Sequence, residues 1–195
     1  NFILSDTNFK DLKEVSYKDL DLSRSSQAEP YPLKYNWFTI DSFVPFKNIN
    51  HLIQEAIKLN SKNFLNGQNS LRGTSSVFSI LDWVKNLENW NNLKDASNAY
   101  RFAYQIIARR GSKGGGFRCI YSDFLKIAEK KSFKIKNLGL YNLMLSLATE
   151  WERLAYLLKE LSVNYEYKIG KKVIDLVHDL YSEELKYHLL VNDQL

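Results

Sequence analysis

The residues best equipped for chemistry gather in one stretch, Arg109-Arg110-Gly111-Ser112-Lys113-Gly114-Gly115-Gly116-Phe117-Arg118, where four of the chain's eight glycines fall within six positions. Glycine permits positive φ and close backbone approach, and the free N–H groups of a helix start attract anions. With Arg109, Arg110, Lys113 and Arg118 adding positive charge, Gly114, Gly115 and Gly116 form a candidate cradle for a phosphate or another anion. The spacing is not that of a P-loop, which needs Gly, four residues, Gly, Lys and then Ser or Thr. Nucleotide hydrolysis is therefore not expected.

The single cysteine, Cys119, follows this stretch on a helical pattern beginning at Phe117. A thiol at a helix N-terminus can be activated as a nucleophile, whereas a small buried core residue is the plainer alternative. One cysteine forms no internal disulfide, and His51, His178 and His188 lie on separated segments, so no zinc-like ligand set is present. These histidines read as surface or structural residues.

Charge sharpens the picture. The chain carries +5 overall, yet Arg101 to Lys136 holds ten basic residues against Asp123 and Glu129, a local balance of +8 beside a remainder of −3. Such a stripe can receive an acidic protein or a phosphate, or can simply be a solvated helix face. No recognition motif accompanies it, which argues against nucleic acid.

The elements that must position these residues are mostly helices. Ile49, Leu52, Ile53, Ala56, Ile57 and Phe64 follow helical spacing, as do Val77 to Leu87, Ala96 to Ile107, Phe117 to Ala128, Leu138 to Leu158 and Val173 to Leu185. Gly67 and Gly73 bracket a break. The three prolines are confined to the first 45 residues. The expected fold is mainly α, with residues 45–195 forming a bundle of five to six helices. Residues 1–44 are expected to be a separate junction segment. Within it, Phe2 to Ser5 reads as a strand whose partner could lie outside the chain, Ser16 and Asp19 suggest a helix cap, and Leu33 to Ile40 suits an extended segment.

The 195 residues are 45% hydrophobic and 25% charged, the balance of an ordinary globular domain. No apolar run is long enough to cross a bilayer and no secretion signal opens the chain, so no membrane association and a cytoplasmic location are expected. The first residue is Asn1 and the only methionine is Met144, so the chain reads as part of a longer protein.

Gly114-Gly115-Gly116-Phe117-Arg118, followed by Tyr121-Ser122-Asp123-Phe124-Leu125 and Ala128 and later by Trp151-Glu152-Arg153-Leu154-Ala155, resembles the C-terminal half of the butirosin-biosynthesis protein H-like family, the BtrH-like acyltransferases of cysteine-peptidase fold. The early Phe2-Ile3-Leu4-Ser5-Asp6 segment, Leu20, Ser23 to Ser26 and the Pro32 to Ile40 stretch resemble the junction after that family's N-terminal domain. The resemblance implies transfer of an aminoacyl group from an acyl carrier protein to a small-molecule amine acceptor. That chemistry needs a thiolate, a histidine and an orienting acid. The cysteine and histidine would precede Asn1 in a missing N-terminal catalytic domain. Asp6, after its strand, is the candidate acid, with a turn aspartate as the alternative.

The resemblance implies no resident cofactor; phosphopantetheine would arrive on the carrier protein. Arg109, Arg110, Lys113, Gly114, Gly115, Gly116, Arg118 and Tyr121 are then the candidate binding residues, and the basic stretch is a docking surface for that acidic partner. Two other readings remain open, a non-catalytic helical interaction module and independent catalysis through Cys119.

Overall fold

The computed structural model describes residues 1–4, 11–25, 42, 48–70, 73–110, 113–164 and 167–195. Asp6, Gly111, Ser112, the three prolines and the Leu33 to Ile40 stretch lie outside the described residues. The chain divides into two compact units, Asn1–Lys47 and Asn48–Leu195.

In the first unit, strand β1 (Phe2–Leu4) pairs antiparallel with β2 (Lys13–Val15), Phe2 opposite Val15. The strand read at Phe2 to Ser5 is present over Phe2–Leu4, and its partner, which could have lain outside the chain, is supplied from within it by Lys13–Val15, whose weak apolar content concealed it. Ser16 then caps α1 (Tyr17–Arg24): its hydroxyl accepts from the Asp19 amide at 3.1 Å and donates to the Asp19 carboxylate at 2.7 Å. An N-cap serine satisfies one of the orphan amides of the first turn, as the Ser16/Asp19 spacing suggested.

The second unit contains α2 (Ile49–Asn66), a two-stranded hairpin of β3 (Gln68–Ser70) and β4 (Gly73–Ser75), α3 (Val77–Leu87), α4 (Ala96–Ala108), α5 (Arg118–Ala128), α6 (Phe133–Asn137), α7 (Leu140–Val163) and α8 (Lys171–Gln194). Mainly α is correct. Seven helices stand here among the described residues where five to six were expected, because the long stripe opening at Leu138 is preceded by a short helix. Ser132 caps α6, and Gly139 at φ +62° turns the chain into α7. The hairpin occupies the break between Gly67 and Gly73.

Helix α7 is the central element, packing against α4, α5, α8 and the glycine turn. It buries one broad apolar face, Leu140, Met144, Leu147, Ala148, Trp151, Leu154, Ala155, Leu158 and Leu161, and turns Asn142, Thr149, Arg153, Lys159 and Glu160 outward. The Trp151 and Trp83 rings stack at 6.3 Å. No helix among the described residues is long and apolar enough to cross a membrane.

Candidate functional site

The glycine turn is built for close packing on α7. Gly114, Gly115 and Gly116 all have positive φ, and a Cβ on Gly115 would stand 2.8 Å from the Ala148 carbonyl oxygen and 2.9 Å from its Cα. Phe117 follows at φ +71°, a left-handed conformation that costs a side-chain-bearing residue about 1–2 kcal/mol. It starts α5 and leaves its own ring more than half exposed.

Arg118 was expected on a docking surface beside Arg109 and Lys113, and its position corrects that expectation. Its side chain turns inward, retaining 18% of its exposure, and its Nε donates to Glu184 of α8 in a close ion pair. Nη1 donates to the Gly116 carbonyl at 3.0 Å, and the guanidinium lies 4.3 Å over the Trp151 ring. At Gly115 and Gly116 the turn therefore presents carbonyls to a cation, not amides to an anion. The indole and the guanidinium share one carboxylate, since Trp151 Nε1 donates to Glu184 Oε1 at 2.8 Å.

Glu184 is 1% exposed. Burial pushes its carboxyl upward, but the Arg118 charge, with hydrogen bonds from His188, Arg118 and Trp151, outweighs it and holds the group below the usual carboxylate range. His188 Nε2 stands 3.4 Å from Glu184 Oε2, and its Nδ1 lies 2.9 Å from the Ser61 hydroxyl. With Nε2–H directed at the carboxylate, Nδ1 accepts the serine proton. Ser61, His188 and Glu184 are the residue types of a hydrolytic triad, but Ser61 is fully buried and absent from the wall of the adjoining cleft. The chain of bonds holds α2, α5, α7 and α8 in register.

Beside this network lies a cleft of about 330 Å³ lined by Asn60, Phe64, Gly116, Phe117, Arg118, Tyr121, Met144, Glu184 and His188. Its size falls within the range of small-ligand sites. The hydroxyls of Tyr121 and Tyr187 are buried and meet each other, and Tyr121 meets Asn60, without a well-aligned hydrogen bond among the described residues. Burial raises the Tyr121 pKa, with hydrogen bonding to Asn60 and Tyr187 partly opposing, so the phenol stays protonated. Removing a hydroxyl with no well-aligned hydrogen bond costs little, so Tyr121→Phe will unfold within about 1 kcal/mol of the parent. Urea denaturation checks this, and a larger loss would reveal a partner for the hydroxyl.

Of the remaining predicted residues, Gly114 and Gly115 are buried, and Arg109, Arg110 and Lys113 stand on the surface. Arg109 Nε donates to the Tyr104 hydroxyl at 2.9 Å, Arg110 to Gln105 Oε1 at 3.0 Å, and Lys113 pairs with Asp123 at 2.6 Å. The Tyr104 hydrogen bond raises the Arg109 pKa, and the Asp123 hydrogen bond raises that of Lys113. Gly116, Arg118 and Tyr121 meet in the cleft, whereas Arg109, Arg110 and Lys113 do not line it.

Cys119 is half-buried. Burial raises its pKa, Glu152 and Asp123 raise it further, and Lys113 only partly opposes them. These influences run against an activated thiolate, so the surroundings of this helix start do not favour Cys119 as an independent nucleophile. Iodoacetamide at pH 7 will label it more slowly than a cysteine in an unfolded peptide, read by mass spectrometry. Faster labelling would restore that reading.

Sequence reading missed Ser61 and Glu184, whereas His188, read as a surface or structural residue, is the structural one. The signal was present: Val177, Leu180, Glu184, Tyr187 and Val191 form one stripe on α8, and Ile57 and Ser61 share a face of α2. A carboxylate on an apolar stripe calls for a buried cation, here Arg118.

The model of a family described as a domain of unknown function, DUF4872, matches residues 18–190. The chain belongs to this family. The matched span of the DUF4872 domain includes the glycine turn, the cleft and the whole Arg118–Glu184–His188–Ser61 network. No curated protein matches the chain, and no solved structure does.

Proposed function

We propose that this DUF4872 domain is the C-terminal portion of a BtrH-like acyltransferase, moving an aminoacyl group from an acyl carrier protein to an amine acceptor in secondary-metabolite biosynthesis. One observation carries the reading: the Gly-Gly-Gly-Phe-Arg and Tyr121 residues on which the resemblance rests converge on one cleft, with Gly116, Phe117, Arg118 and Tyr121 in its wall. Trp151, from the second resembling segment, supports Arg118 from beneath. The domain shapes the acceptor and carrier site. The cysteine and histidine come from an upstream catalytic domain in the cytoplasm, with Asp6 as the third member of its triad.

The exposed Arg109, Arg110 and Lys113 are the docking point for an acidic carrier protein, whose phosphopantetheine arm brings the acyl group. The test is binding of a holo acyl carrier protein to the chain carrying Arg109→Glu, Arg110→Glu and Lys113→Glu, followed by calorimetry. Affinity will fall on the order of tenfold or more at low salt. Unchanged affinity sinks the docking assignment.

A second reading, a non-catalytic interaction module, draws on α5. Ile120, Phe124 and Ile127 form an i, i+4, i+7 stripe that remains substantially exposed. An intact reading frame lacking an upstream cysteine-containing domain would favour it over the acyltransferase.

A further inference from the structure

Helices α7 and α8 form a second concavity that shares no lining residue with the Arg118 cleft. Leu143, Ser146, Leu147 and Glu150 follow i, i+3, i+4, i+7 spacing on α7, and Leu176, Asp179, Leu180, Glu183, Tyr187 and Leu190 make the facing stripe on α8. Lys186 completes the wall of a pocket of about 360 Å³, again within the small-ligand range. Its apolar body comes from five leucines and the Tyr187 ring. Leu147, Leu176, Leu180 and Tyr187 are buried, while Leu143 remains 40% exposed.

The polar rim has a definite sign. Glu150, Asp179 and Glu183 stand against Lys186 alone, a balance of −2 on a chain whose net charge is +5. Glu150 is engaged with Arg153 at 3.0 Å and Glu183 with Lys186 at 2.6 Å, both in exposed pairs that water weakens. Asp179 is exposed and has no ion-pair partner among the described residues. An apolar molecule would fill the leucine body without using this field, and an anion would be repelled by it. A molecule with an apolar body and a protonated amine satisfies both.

We infer that the α7–α8 pocket is a binding site for a small amphiphilic amine, its apolar part among Leu143, Leu147, Leu176, Leu180 and Leu190 and its ammonium at Glu150, Asp179 and Glu183. The inference stands whether or not the acyl-transfer reading holds, because it uses none of that cleft's residues.

The test compares phenylbutylamine, phenylbutanol and phenylbutyrate, which share one apolar body, by calorimetry on the full chain. The amine will bind saturably and about tenfold more tightly than the alcohol, and the acid will bind weakest. The exposed double substitution Asp179→Asn with Glu183→Gln will bring the amine to the level of the alcohol while leaving helical circular dichroism unchanged. Leu143→Asp will weaken the alcohol, as loss of apolar wall requires. Equal affinity for all three probes, an amine affinity indifferent to the double substitution, or no saturable amine binding would each overturn the site. So would a concentration-dependent dimer whose formation excludes the amine, since the occupant would then be a second copy.

Discussion

Glu184→Ala will destabilise the domain by about 3–5 kcal/mol, the cost of leaving a half-buried cation without its counter-charge. The carboxylate is 1% exposed and serves Arg118, Trp151 and His188 together, so its loss orphans a guanidinium Nε, an indole N–H and an imidazole N–H in one place. Urea denaturation at neutral pH gives the magnitude. Arg118 also ties the Gly116 carbonyl to α8, so the glycine turn should lose amide-exchange protection with it. A loss below about 1 kcal/mol would mean that Arg118 finds another anion or water.

The same group imposes a pH signature. Its folded pKa is depressed below the ordinary carboxylate value, so the stabilisation is fully present above that ordinary value. It fades as pH falls through the depressed one. In the parent chain stability will decline on acidification into the range below about pH 4, and Glu184→Gln will flatten that decline. An equally steep decline in the variant would assign acid sensitivity to other carboxylates.

The second large effect is expected at Gly115. The added methyl of Gly115→Ala would meet the Ala148 carbonyl oxygen and Cα, both backbone atoms in the middle of α7, at a φ of +57°. Neither contact is with a flexible side-chain end that can swing away. Steric overlap and the left-handed backbone together give a loss of about 2–4 kcal/mol. Gly139→Ala is the control: its φ is +62°, but nothing lies within 4 Å of the new methyl, so only the conformational cost of about 1–2 kcal/mol remains. Thermal unfolding of the pair separates close approach from backbone strain. Equal losses would mean that the turn moves off α7 at little cost.

Much of this architecture follows from local rules. The apolar stripes at helical spacing marked α2, α3, α4, α5, α7 and α8, and Ser16 with Asp19 marked the start of α1, because periodicity and capping depend on a few adjacent residues. Helix α6 escaped notice because five residues give Ile135 no apolar companion at i+4 within the helix. The β1–β2 pairing escaped notice because Lys13-Glu14-Val15 has no alternating apolar pattern to mark a strand.

For the site, the sequence by itself determined that the segment around Gly114 can bend sharply and approach another backbone, and that it concentrates cations. Those properties belong to glycine, lysine and arginine wherever they lie. Only the tertiary structure decided which way the turn faces. Contact with Ala148 directs the Gly116 carbonyl toward Arg118, and Glu184, 66 residues further along the chain, draws that arginine inward. Arg110 and Lys113 keep their heads in water because Gln105 and Asp123 meet them near the surface, and Arg109 stays exposed at the hydroxyl tip of the otherwise buried Tyr104, whereas Arg118 is held by a buried carboxylate. Electrostatic pairing across that separation depends on how α5 and α8 pack, and packing is not encoded in the spacing of either helix alone.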